Sequence, residues 1–239
     1  MRRSMAAAVA ASVVALAAAP ALAVKTEPPN PHNFVGSEGV EPRFAGEGEF
    51  ALKPFTVTCE KAKSTASGVT PAFPSKTLTA VVKYSGCEAT ATVNKAEYEM
   101  KARFLTPVTF NYRANGVVEV GAGGTVNGGK LEGAGAIEIA VKGAFKCTID
   151  IAPGTYPSKS LRKPEAEYEA ATFATEEETV QKGKTSVVVK KLAIGTELTK
   201  MPYSLEGEFC EALPKTEYTS GTFAGSLVAE IRKGSIGWE

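Results

Sequence analysis

Four cysteines, Cys59, Cys87, Cys147 and Cys210, carry the most sharply specified chemistry in this 239-residue chain. Such thiols either bind metal or bond to one another. Structural zinc draws its ligands in close pairs of the C-x-x-C kind, whereas these cysteines are 28, 60 and 63 residues apart. An even number of dispersed cysteines reads as two disulfides formed in an oxidising compartment. Four cysteines allow three pairings. The expected one is Cys59–Cys87 with Cys147–Cys210, because each bridge then lies within one half of the chain. In the loop-entropy picture each bridge stabilises the fold by about 3.5–4.5 kcal/mol.

The remaining catalytic vocabulary is sparse. The single histidine, His32, sits between Pro31 and Asn33 in a polar stretch and reads as inert rather than as a base. Asp150 is the lone aspartate, the other 25 acids being glutamates. A Ser-His-Asp triad would have to recruit His32, and the chain has no G-x-S-x-G elbow and no Asp/Asn-rich calcium loop. Gly124-Thr125-Val126-Asn127-Gly128-Gly129-Lys130 approaches a phosphate-binding loop, but Leu131 stands where Ser or Thr would hold magnesium, so a Gly-rich hairpin or loop is the simpler reading. Ser160-Leu161-Arg162-Lys163 matches S-x-x-K without the S-D-N or K-T-G that would accompany it in a penicillin-binding site.

Two glutamates flanking a bond are the chemistry of glycoside hydrolysis. Glu165, Glu167 and Glu169 share one parity and Glu176-Glu177-Glu178 follow, but a solvated acidic strand and loop accounts for them more simply. Tyr156, Tyr168, Tyr203 and Tyr218 have the composition of a pocket lining, yet tyrosines near strands usually pack. No residue is assigned a catalytic, cofactor-binding or metal-ligating role.

The elements that carry these residues read as strands. From Ala96 to Phe104 even positions are apolar and odd ones charged, the pattern of a half-buried strand. Leu78, Ala80, Val82 and Tyr84 alternate likewise, as do Val108, Phe110 and Tyr112, and Phe223 to Ile231. The odd positions from Ile137 to Ile151, Cys147 among them, predict one long strand with a bend or bulge near Gly143. Asn115-Gly116 and Asn127-Gly128 are hairpin turn signals, and no segment holds a helical period over three turns. The expected fold is all-β, an antiparallel sandwich or two packed sheets stapled by disulfides. A lipid-facing barrel needs an apolar outer wall, and the faces opposite the apolar stripes carry Glu97, Glu99, Lys101, Arg103, Glu206 and Glu208.

The first 23 residues read as a cleavable export signal. Arg2-Arg3 precede an Ala/Val/Leu core from Met5 to Ala19, and Pro20 is followed by Ala21-Leu22-Ala23, which places cleavage between Ala23 and Val24. Ser4-Met5 fits a twin-arginine signal poorly. The core is shorter than the roughly 20 apolar residues of a membrane span, and no cysteine stands at the cleavage point for lipid attachment. Residues 24–42, rich in Pro, Gly and Glu, predict a mobile leader. An all-β domain then fills 43–239, with room for two sub-halves meeting near 152–165. Formal charge is +1, and removal of Arg2 and Arg3 leaves −1, which gives no basic surface for nucleic acid or anionic membrane.

Several segments carry a family resemblance: Gly86-Cys87-Glu88-Ala89, Ile137 to Val141, Phe145 to Gly154, Ser186 to Val189, Tyr203 with Cys210 seven residues on, and Gly221 to Gly225. In their order and spacing, over Cys59 to Ile231, the chain resembles a large set of uncharacterised secreted proteins of high-GC actinobacteria. Members often carry a further cysteine pair mid-chain, where this chain has Tyr98 and Val120 and no cysteine. The resemblance implies a fold and a location but no activity. The function expected is a non-catalytic extracellular or cell-surface binding or structural module without a cofactor, its partner a protein or glycan of the envelope or exterior. A small-ligand carrier with a cavity between sheets and a secreted hydrolase using a Glu pair are the alternatives.

Overall fold

Strands occupy most of the computed structural model, which describes residues 33–37, 42–64, 73–93, 96–121, 125–126, 129–130, 135–140, 146–156, 170–182, 185–207, 210, 220–230 and 234–239. In chain order they are β1 (Phe34–Gly36), β2 (Arg43–Leu52), β3 (Phe55–Ser64), β4 (Thr77–Val93), β5 (Ala96–Phe104) and β6 (Val108–Arg113). Next come β7 (Val118–Val120), β8 (Thr125–Val126), β9 (Gly129–Lys130), β10 (Ala136–Ala140), β11 (Lys146–Ile151) and β12 (Gly154–Tyr156). The last are β13 (Ala171–Lys182), β14 (Thr185–Glu206), β15 (Ser220–Glu230) and β16 (Ile236–Trp238).

Eight of these strands form a closed circuit. β2 pairs with β3, β3 with β4, β4 with β5, β5 with β10, β10 with β11, β11 with β14 and β14 with β15, and β15 returns to β2, always antiparallel. Four strands come from residues 43–104 and four from residues 136–230. The circuit is flattened into two facing layers. Phe50 of β2 meets Phe104 of β5 at 5.1 Å between ring centroids, and Tyr84 of β4 meets Phe223 of β15 at 6.3 Å. Both contacts cross the interior, since each pair lies three strands apart around the circuit. Opposite walls in direct side-chain contact share one apolar layer, the all-β, double-layered and disulfide-bonded arrangement that the alternation predicts.

Two long strands change partners midway. β4 pairs with β6 through Thr77–Val82 and with β5 through Cys87–Val93. β14 pairs with β13 through Thr185–Thr196 and with β11 through Tyr203–Glu206. A flap of β6, β7 and β12 and a ribbon of β13 and the first half of β14 therefore leave the circuit. Their bases meet around Phe173, whose ring lies 5.0 Å from Phe34, 6.1 Å from Tyr112 and 5.8 Å from Trp238.

Three sequence expectations are corrected by this arrangement. The run from Ile137 to Ile151 is a hairpin of β10 and β11 rather than one bent strand, with Ile139 opposite Cys147. In that register odd residues face odd residues, so both arms turn odd positions inward and parity shows no break. Gly143, where a bend was expected, lies outside the described residues. Within the expected leader, Phe34–Gly36 pairs with Ile236–Trp238 and Phe34 is fully buried. Three residues are too few to show a period, and what orders them is the aromatic cluster. Tyr98, inward by parity, is 53% exposed, because β10 flanks β5 only over Lys101–Phe104.

One reversal of parity is also built in. The inward residues of β4 are Leu78, Ala80, Val82 and Tyr84, and then Cys87, Ala89 and Ala91. β3 reverses at the same level, so that Cys59 still faces Cys87 and Ala62 faces Tyr84. Gly86 takes φ +63° at the step, where a side chain is disfavoured. The Asn115-Gly116 signal does mark a tight turn between β6 and β7, with Gly116 at φ +82°.

Candidate functional site

The two bridges are the built covalent features. Cys59 and Cys87 are directly opposite on β3 and β4, with Cα atoms 4.0 Å apart, and Cys147 of β11 bonds Cys210 with Cα atoms 5.3 Å apart. All four residues are buried and none is a free thiol, so sulfur is offered neither as nucleophile nor as metal ligand. The bridges fit an oxidising, extracellular-type environment. Among the described residues no helix is long and apolar enough to cross a membrane.

The carboxylates follow the outward parity of their strands. Glu47, Glu49 and Glu60 border an open depression on the outer face of β2, β3 and β15, floored by Gly48 and Gly225. Glu138 of β10 is held between Arg103 Nε at 2.8 Å and Lys146 Nζ at 3.1 Å. Hydrogen bonds from Lys146 and Arg103 keep its carboxyl below the usual range. Glu119 pairs with Arg113, and Glu178 with Lys191. These are cross-strand or neighbouring ion pairs of a solvated sheet face, not two acids converging on a cleft. Among the described residues no group of three or more His, Cys, Asp or Glu is placed to hold a metal ion.

Other residues singled out from the sequence are dispersed. Asp150 lies on β11 between inward Ile149 and Ile151. Thr125–Val126 pairs with Gly129–Lys130, so the phosphate-loop look-alike is a hairpin. His32, Ser160–Lys163, Glu165, Glu167, Glu169, Tyr168, Tyr218 and the Ala23/Val24 junction lie outside the described residues.

Tyr84, Tyr112, Tyr156 and Tyr203 are buried in the core. Tyr203 Oη donates to the Lys53 carbonyl at 2.7 Å, and Tyr112 Oη shares a hydrogen bond with buried Thr196 at 3.2 Å. Burial pushes the phenols of Tyr84 and Tyr112 well above their ordinary range and that of Tyr156 up to about 12. The Tyr156 hydroxyl has no hydrogen-bond partner among the described residues. Other rings pack in the interior beside buried aliphatic residues such as Ile137, Ile149 and Leu198: Phe50–Phe223 at 4.6 Å, Tyr84–Phe104 at 4.9 Å and Phe110–Phe223 at 5.3 Å.

An open polar groove lies along β4, β6 and β7, lined by Lys76, Thr79, Asn111, Arg113 and Glu119. Its groups serve one another: Thr79 Oγ1 donates to Asn111 Oδ1 at 2.7 Å, and Arg113 pairs with Glu119. It holds hydrogen-bonding groups but no activated nucleophile or base.

The surface feature that the sequence reading missed is the β13–β14 ribbon. Glu176-Glu177-Glu178 are exposed on it, in keeping with a solvated acidic strand. Val180, Val187 and Val188 are also 41%, 43% and 57% exposed. Their sequence signal is Lys190-Lys191 directly after three valines, opposite an acidic strand, a pattern more suited to a projecting ribbon than to a core. Comparison with protein-family models, curated proteins and solved structures finds no match.

Proposed function

We propose that the protein is a non-catalytic β domain, exported by its first 23 residues, that works outside the cytoplasm or at the cell surface as a binding or structural module. One observation carries this reading: aromatic rings from facing walls meet between the layers while the described carboxylates lie on outward parity. Rings in contact across the interior favour a module that binds through its surface over a small-ligand carrier, and glutamates set on outward, solvated faces disfavour a glycosidase pair. The export signal, the bridges and the resemblance to uncharacterised secreted actinobacterial proteins support the location. The recognised partner is a protein or glycan of the cell envelope or exterior.

Amino-terminal sequencing of protein recovered from the culture medium should begin at Val24. Turnover of any member of a broad panel of glycosides, esters and peptides, abolished by changing one glutamate to glutamine, would overturn the non-catalytic reading.

A further inference from the structure

The ribbon has an unusual edge. Beyond its clasped base, where Thr175 Oγ1 accepts from Trp238 N at 2.9 Å and donates to Trp238 O at 3.0 Å, β13 pairs only with β14 among the described residues. Its other edge presents backbone donors and acceptors from Glu176 to Lys182. An unpaired edge of this kind is a template for another strand. Val180 and Val187 stand directly opposite each other on one face, and both are exposed.

Sequence and register select the strand that fits. When two copies of one strand pair antiparallel about a two-fold axis, one residue faces itself and its neighbours face in mirrored order. Centring β13 on Glu177 or Glu178 sets like charges against each other, which is destabilising. Centring on Thr179 sets Val180 against Glu178. Centring on Val180 places Val180 against Val180, Thr179 against Gln181, and Glu178 against Lys182, with no like charges opposed. It also extends the Val180–Val187 pair into an unbroken row, Val187–Val180–Val180–Val187, across four strands.

We propose that the free edge of β13 pairs with the same edge of a second copy of this chain, with Val180 on the two-fold axis, giving a reversible dimer through a four-stranded antiparallel sheet. The occupant is a second copy because β13 is complementary to itself in charge and in apolar position. The interface is small, so association is concentration-dependent. It goes beyond the proposed binding role and does not depend on it, since it concerns self-assembly whatever the external partner.

Sedimentation of the full exported protein between about 1 µM and about 1 mM, the range of weak complexes, should show mass rising toward twice the monomer. Val180→Lys should remain monomeric throughout. Glu178→Lys should also dissociate the dimer, and Glu178→Lys combined with Lys182→Glu should restore it by exchanging the charges. Circular dichroism checks that each variant stays folded. Because the native cysteines are all bonded, Val180→Cys carries one free thiol and should cross-link to itself on mild oxidation, while Glu176→Cys should not. A wild type that stays monomeric across the range, a double variant that fails to re-associate, or equal cross-linking at positions 180 and 176 would each overturn the proposal.

Discussion

Truncating Phe50 tests whether the space between the layers is a packed core or a chamber. Phe50 is buried, with the rings of Tyr84, Phe104 and Phe223 at 5.2, 5.1 and 4.6 Å. Phe223 stands on the neighbouring strand β15, whereas Tyr84 and Phe104 reach Phe50 from β4 and β5, two and three strands away around the circuit, so the hole left by Phe50→Ala is bordered by rings from three different strands. Phe→Ala in such a site costs about 3–5 kcal/mol. For a chain of this length each kcal/mol lowers Tm by roughly 2–4 °C, so a loss of about 4 kcal/mol corresponds to roughly 8–16 °C. Phe50→Leu, nearer in volume, should cost less than about 1.5 kcal/mol, and Tyr98→Ala at the exposed hairpin end no more than about 0.5 kcal/mol. Urea unfolding with the bridges intact is the assay, followed by the fluorescence of Trp238, which packs on Phe173. A loss below about 1 kcal/mol for Phe50→Ala, or equal losses for Phe50→Ala and Tyr98→Ala, would refute the filled-core argument and reopen the carrier reading.

Other perturbations have defined outcomes. Replacing both cysteines of Cys59–Cys87 by serine should cost about 3.5 kcal/mol, and of Cys147–Cys210 about 4 kcal/mol, from the loops each closes; four titratable thiols in the native protein would contradict both. Tyr112→Phe strands the buried Thr196 hydroxyl and should cost about 1–2 kcal/mol in the same unfolding assay. Stability should fall in alkali. Burial raises the phenols of Tyr84 and Tyr112, so above about pH 10 the unfolded chain has released protons that the native state retains. Each of the two then removes about 1.4 kcal/mol per pH unit until its native phenol ionises. Tyr156, at about 12, adds a smaller share. Below about pH 9 these groups contribute no pH dependence, and unfolding measured from pH 7 to pH 12 checks the sign.

Much of the fold was legible because a strand has a period of two and half-buried strands advertise it. β5, β6, β15 and the inward set of β4 up to Tyr84 follow from apolar alternation. Other parts were not legible, each for a definite reason. The β10–β11 turn keeps parity, so alternation is blind to it. The step at Gly86 breaks parity without breaking the pairing of β3 with β4, which from sequence resembles two unrelated runs. Phe34 is ordered by rings from β6, β13 and β16 that lie 78 to 204 residues away. The candidate surface was less legible still, since Val187-Val188-Val189 has the composition of a core strand and is exposed only because the ribbon projects past the layers.

Local chemistry was determined by the sequence itself: dispersed cysteines suited to bridges rather than metal, and strands with one apolar face. These properties depend on residue type and short spacing, which folding does not alter. Tertiary structure alone decided how the strands join. Pairing β15 with β2 and β5 with β10 closes the circuit and turns two stripes of aromatic residues toward each other. It also leaves one edge of β13 without a neighbouring strand among the described residues. Backbone hydrogen bonding is indifferent to side-chain identity, so which strands meet is settled by the whole set of apolar faces seeking burial at once, and no single segment carries that information.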